Sequence, residues 1–133
     1  MPPPFATLRT VEIPVSDLQR AIRWYGEALG YACGWSDPQH ALLAREGDAA
    51  ATQLLLVQTD DPTRLSFRAT HSGILHGVLD FETDDLDAAH AHLARLIPGL
   101  APIPEPAHAW APRGFGFLDS EGNRLALFSF RRP

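Results

Sequence analysis

The sequence contains no lysine: all eleven of its basic side chains are arginines. That absence excludes Schiff-base chemistry, a pyridoxal phosphate anchor and a P-loop, each of which needs a lysine amine. There is one cysteine, Cys33, so neither an intrachain disulfide nor a cysteine zinc site can form. Beside Gly34, it reads as a small apolar filler. Apolar runs such as Leu54-Leu55-Leu56-Val57 are short against the roughly 20 residues that span a bilayer. The opening Met1-Pro2-Pro3-Pro4 has neither the basic nor the apolar region of a secretory signal. The expectation is a cytoplasmic protein with no membrane partner. A basic block is also missing, and the formal net charge is −5, so a phosphate backbone is repelled on average. No nucleic-acid partner is expected.

What is present is a globular balance, with 45% hydrophobic and 20% charged residues in a chain of 133. It also contains an internal repeat. Thr10-Val11-Glu12-Ile13-Pro14-Val15-Ser16-Asp17-Leu18 near the start is echoed by Val78-Leu79-Asp80-Phe81-Glu82-Thr83-Asp84-Asp85-Leu86. In both, apolar residues alternate with other types, the period of a strand with one face on a core. Each strand meets a helix-start signal: Ser16 with Gln19 as a capping box, and Asp84 as an N-cap.

Two amphipathic helices follow. Leu18, Ala21, Ile22, Tyr25 and Leu29 form one stripe, and Leu86, Ala89, Leu93 and Ile97 form the other. Gly30 and Pro98-Gly99 end them. Short strands are expected at 31–35, 40–45 and 52–58, then again at 100–104, 112–118 and 124–130, broken by turn residues. The fold class is therefore α+β, a single domain over 1–133. It consists of two tandem βαβββ modules, about 6–58 and 73–131, joined by a polar linker at about 59–72. Neither module could bury its sheet face alone.

These residues carry a resemblance. The stretch from Val11 to Tyr31, with Asp17-Leu18, Trp24-Tyr25 and Ala28-Leu29-Gly30, resembles the opening signature of the vicinal oxygen chelate superfamily. That superfamily includes glyoxalases, extradiol dioxygenases, fosfomycin-resistance enzymes and bleomycin-resistance proteins. Gly116 to Phe128 resembles its closing "D-P-x-G-N-x-x-E-L" stretch. The resemblance implies that two modules enclose a cup-shaped cavity under a mixed sheet. It also implies a divalent metal acting as a Lewis acid, with ligands at positions that fall here on Thr10, Leu55, Val78 and Ala126. Threonine, leucine, valine and alanine do not make a metal site, so no metal and no cofactor are expected. The bleomycin-resistance branch, whose members bind a ligand without transforming it, fits best.

Strand alternation places Leu8, Thr10, Glu12 and Pro14 on one inner face, and His76, Val78, Asp80 and Glu82 on the other. Glu12 and Asp80 occupy equivalent positions, two residues beyond the metal positions. A carboxylate pair in a partly dry cavity suits a cationic ligand or general acid–base work. Trp35, Trp110, Phe115 and Phe117 lie on strands or loops that could line the mouth, where a flat ligand could stack on them, although sheet packing and dimer contact suit the two phenylalanines better. Arg113 is the arginine expected to meet Glu12 or the ligand. The candidate ligand-binding set is thus Thr10, Glu12, Trp35, His76, Asp80, Trp110 and Arg113.

Two functions remain open on the sequence. One is a metal-independent binding protein, taking an aromatic or cationic small molecule in an acidic cup. The other is a lyase- or dioxygenase-like enzyme, with Glu12 or Asp80 as acid–base group or with a displaced metal site at His76, Asp80 and Glu82. A homodimer is expected in either case, because exposed sheet edges otherwise invite aggregation.

Overall fold

The computed structural model describes residues 2–131. The fold is mixed α+β, with two helices and several sheets, and the chain divides into two compact units, Met1–Thr63 and Arg64–Pro133.

The first unit follows the expected βαβββ order: β1 (Thr10–Val15), α1 (Leu18–Leu29), β2 (Tyr31–Ser36), β3 (His40–Arg45) and β4 (Gln53–Gln58). The strands lie in the order β1-β4-β3-β2, with β1 parallel to β4 and the other pairs antiparallel. Helix α1 starts one residue later than the capping-box reading implied. The cap is Asp17, whose carboxylate accepts the Arg20 amide at 3.0 Å, while Ser16 stays exposed. An ionised acceptor at a helix N-terminus also meets the helix dipole, which a serine hydroxyl does not. Gly30 closes the helix at φ 74°, a left-handed conformation that favours glycine.

The core of this unit is the expected alternation made real. Ile13 and Val15 of β1, Ala41 and Leu43 of β3, and Leu54 and Leu56 of β4 are buried on one face of the sheet. Leu18, Ala21, Tyr25 and Ala28 are the buried residues of α1, which packs on that sheet. Each fully buried aliphatic side chain contributes about 1.5–3 kcal/mol.

The second unit departs from its template. Its sheet has three strands, β7 (Leu79–Glu82), β8 (Arg113–Leu118) and β9 (Arg124–Ser129), in the order β7-β9-β8. The strand expected at 100–104 does not form. Pro98, Pro102, Pro104 and Pro106 crowd this stretch and cannot donate to a ladder. His90 of α2 (Leu86–Leu96) instead fixes the segment, its Nε2 donating to the Ala101 carbonyl at 2.7 Å. The expected polar linker also carries structure, a short antiparallel pair of β5 (Phe67–Arg68) with β6 (Leu75–His76). The cap of α2 is Asp85 rather than Asp84, accepting the Ala88 amide at 3.0 Å.

Leu86, Leu93, Phe115, Phe117, Leu125 and Leu127 form this unit's buried apolar core. A polar knot closes the β8–β9 turn. The buried Asp119 carboxylate accepts the amides of Glu121 and Asn123 at 2.8 Å and the Asn123 side chain at 2.9 Å. Asn123 Oδ1 in turn accepts the Leu65 amide, and the Arg64 Nε donates to the Glu121 carbonyl. Among the described residues, no helix is long and apolar enough to cross a membrane.

Candidate functional site

Strand register decides which side chains share the face opposite each helix. In the first unit Glu12 pairs with Leu55, Leu55 with Leu42, and Leu42 with Trp35, so these four lie in one row across the sheet. Thr10 and Gln53 form the row on one side of it, and Pro14, Val57 and His40 the row on the other. Three inter-strand spacings of about 4.8 Å put Glu12 and Trp35 at opposite ends of a strip roughly 14 Å wide. Leu42 and Leu55, both half-buried, form the strip's apolar floor.

Trp35 reaches this face through a break in register. Tyr31 and Cys33 pair with Arg45 and Leu43, whose parity is that of the helix side, and a bulge between Cys33 and Trp35 then shifts Trp35 onto Leu42. An isolated Gly34 permits the extra residue, and bulges of this kind re-aim a side chain. Trp35 is 54% exposed, and its indole makes no ring or hydrogen-bond contact with the described residues. Glu12 is exposed, and among the described residues no cation lies within ion-pair distance of it. His40, at the row's margin, is held by Asp37 at 2.9 Å. The Asp37 carboxyl sits below its ordinary range, chiefly because it accepts the Gln39 amide and also because His40 bonds to it.

In the second unit the corresponding face carries Asp80, Ala126 and Gly116 in one row, and Glu82, Phe128 and Gly114 in the next. Arg124 and Leu118 form a third. Asp80 and Glu82 therefore share a face, as alternation required. The carry-over to His76 fails, because His76 belongs to β6 and Gly77 interrupts the alternation. A side chain at Gly77 would come within 2.6 Å of the Arg124 carbonyl, so the chain passes β9 too closely for any other residue. His76 stacks on Phe67, with ring centroids 5.3 Å apart and planes 12° apart.

Arg113 and Cys33 depart from expectation. Arg113 shares its face with Phe115 and Phe117 and forms its ion pair with Asp87 of α2, at 3.2 Å, rather than with Glu12. Hydrogen bonding between the two lowers the Asp87 carboxyl and raises the Arg113 guanidinium from their ordinary values. Phe115 and Phe117 are buried, with His90 set edge-on to Phe115 at 4.9 Å, so they pack under α2, the packing role favoured for them over the mouth. Cys33 is exposed rather than a core filler. Trp110 is 78% exposed in the segment before β8, its ring stacked on His108 at 5.0 Å.

Arg124 escaped the sequence reading. Its Nε donates to the Leu75 carbonyl at 3.1 Å, and its guanidinium lies where a side chain on Gly116 would have to stand. The alternation Arg113-Gly114-Phe115-Gly116-Phe117 was the available signal: two glycines on one face of a strand leave room for something to lie on them.

The sequence profile of the Glyoxalase/Bleomycin resistance protein/Dioxygenase superfamily matches residues 7–127. The chain belongs to that superfamily. Among solved structures, it is similar to TnmS3, an antibiotic binding protein from Streptomyces sp. CB03234 (26% identity over 94% of this chain and 96% of that one, TM-score 0.68). It also shares its fold with a superfamily member from Sphaerobacter thermophilus DSM 20745 (23% identity, 94% and 98% coverage, TM-score 0.66). A third structure of this fold is the fosfomycin resistance protein FosX from Listeria monocytogenes (13% identity, 96% and 95% coverage, TM-score 0.73). None of the functionally curated proteins matches the sequence.

The superfamily's metal chemistry can be tested against the side chains present. Thr10 and Leu55 lie on one face of the first sheet, Ala126 lies beside Asp80 in the second, and Val78 is 52% exposed ahead of β7. None of the four offers an imidazole or carboxylate, so the residues do not fit a superfamily metal. The displaced site is not assembled either. Among the described residues, no three His, Cys, Asp or Glu side chains converge as metal ligands, His76, Asp80 and Glu82 included.

Proposed function

We propose that this superfamily member is a small-molecule-binding protein that holds a flat aromatic cation without transforming it and without a metal. The observation that carries the reading is the row Trp35–Leu42–Leu55–Glu12, an exposed indole and a carboxylate with no ion-pair partner among the described residues, joined by an apolar floor. An aromatic ring stacks on the indole and covers the leucines, while a positive group meets Glu12. Asp80, on the equivalent strand of the second unit, is that unit's own candidate negative group. The likeness to an antibiotic binding protein supports ligand binding as the task, and the unsuitable donors at the metal positions support binding over turnover. In this reading the protein works as a cytoplasmic homodimer.

The test uses 9-aminoacridine, a flat aromatic cation, titrated into the protein while tryptophan emission is followed. Glu12→Gln is nearly isosteric and should weaken binding by about 1–3 kcal/mol, the scale of a charge-assisted hydrogen bond. Trp35→Ala should cost roughly 0.5–2 kcal/mol through lost stacking. Glu46→Gln, a neutralised acid in the exposed β3–β4 turn, is the control and should change little. Equal affinity across wild type and all three variants overturns the reading. Zinc, nickel or manganese should leave the melting temperature nearly unchanged, since stabilisation requires a native-state site. A stoichiometric bound ion, or consumption of a glyoxalase- or dioxygenase-type substrate, also defeats the proposal.

A further inference from the structure

Beyond the cation-binding strip proposed for the first unit, the structure assigns a second site: Arg124, on the sheet of the second unit, is built to receive the carboxylate of an aromatic acid. The Arg124 side chain is fixed from several sides. Its backbone amide donates to the Leu65 carbonyl at 3.0 Å, and its Nε donates to the Leu75 carbonyl at 3.1 Å. Its guanidinium rests on Gly116, where a Cβ would collide with the terminal nitrogen and the central carbon. The guanidinium is thereby oriented before any ligand arrives, which lowers the entropy lost on binding.

Nε is engaged, and the two terminal nitrogens have no acidic partner among the described residues. That edge of the fork is the one that matches a carboxylate bidentately. The acids of this face do not compete for it. Asp80 and Glu82 stand on β7, whereas the guanidinium leans over β8, two strand spacings or roughly 10 Å away. Attraction over that distance is largely screened at physiological ionic strength.

The neighbours select an aromatic acid over a bare anion. Ala126 follows Arg124 on the same face of β9, and Phe128 comes next. The Phe128 Cβ lies 3.2 Å from where a Gly114 side chain would begin, so β8 and β9 approach closely at this row. A ring attached to a carboxylate on Arg124 lies over the small Ala126 and reaches the edge of Phe128. Inorganic phosphate meets the same fork but gains nothing from alanine or phenylalanine.

Isothermal titration of the full chain with benzoate, and separately with inorganic phosphate, tests this. Wild type should bind benzoate at least tenfold more tightly than phosphate. Arg124→Gln and Arg124→Lys should each weaken benzoate at least tenfold, the lysine because a point charge cannot replace the fork. Gly116→Ala is the discriminating variant. It leaves the charge in place and displaces only the flexible end of Arg124, so the melting temperature should hold while benzoate affinity falls as in Arg124→Gln. Should Arg124→Gln fail to fold, Gly116→Ala carries the test. The proposal falls if benzoate does not bind at millimolar concentration, if phosphate binds as tightly, or if Gly116→Ala binds benzoate like wild type. Trp35→Ala should leave benzoate binding unchanged, so failure here and failure of the cation-binding strip are read separately.

Discussion

The two units contain the same parallel pairing of a first strand with a last strand, yet their open faces have opposite characters. In the first unit the middle of the row is filled by Leu55 and Leu42, with function pushed to the ends at Glu12 and Trp35. In the second the middle is nearly bare, Ala126 beside Gly116, and the Arg124 guanidinium of β9 lies over Gly116 of β8. The equivalent acids Glu12 and Asp80 therefore work in different surroundings, one at the end of an apolar floor and one beside an alanine. Topology assigns a position to a side chain, and its neighbours across the strands decide what that position does.

Truncating the cores should test the comparison most severely. Leu56→Ala in the first unit and Leu125→Ala in the second each remove a fully buried leucine. Each should cost about 2–5 kcal/mol in denaturant titration. If the units are independent cooperative blocks, Trp35 emission should report the first loss and Trp110 emission the second. Coincident transitions in both variants would merge the units into one folding block.

A smaller effect should separate the two turns. Asn123→Ala removes a buried side chain bonded to Asp119 and to the Leu65 amide, and should cost about 1–3 kcal/mol. In the exposed β3–β4 turn, Asp48→Ala, which loses one contact to the Ala50 amide at 3.2 Å, should cost under about 1 kcal/mol. Equal costs would remove the distinction. For ligand binding, Asp80→Asn should weaken 9-aminoacridine less than Glu12→Gln does, by under about 1 kcal/mol, because no exposed indole shares its row. A larger loss at Asp80 would move the cationic site to the second unit.

The smallest expected effect is on pH dependence. Because Arg113 holds the Asp87 carboxyl below its ordinary value of 3.8, the pair's contribution is fully present above that value. It is lost as pH falls through the lowered one. Asp87→Asn should therefore flatten the acid limb of a melting profile slightly and leave it unchanged near neutrality.

Much of the fold was legible because its periodicities were undiluted. The stripe Leu18, Ala21, Tyr25 gave α1, and β3 was readable from its apolar alternation between turn residues. The stretch 100–104 has the apolar content of a strand, but Pro102 and Pro104 cannot donate to a ladder. The caps were each off by one, since Ser16-Asp17 and Asp84-Asp85 each offer two side-chain acceptors and only geometry selects. At the site, the face of Glu12 and the shared face of Asp80 and Glu82 followed from parity. Parity would also have placed Arg113 with Phe115 and Phe117, had it been applied. Trp35 could not be placed by parity, because a bulge reverses it. Arg124 was hidden by attention to the position two residues on, where the superfamily's metal ligand stands.

The proline-rich stretch before β8 has one more consequence. Since no strand forms there, β8 pairs on one side with β9 and ends the sheet on the other. Alternate amides between Arg113 and Leu118 thus face away from the ladder. In deuterium exchange they should trade protons far faster than their neighbours bonded to β9, drawing a two-residue rhythm along a single strand.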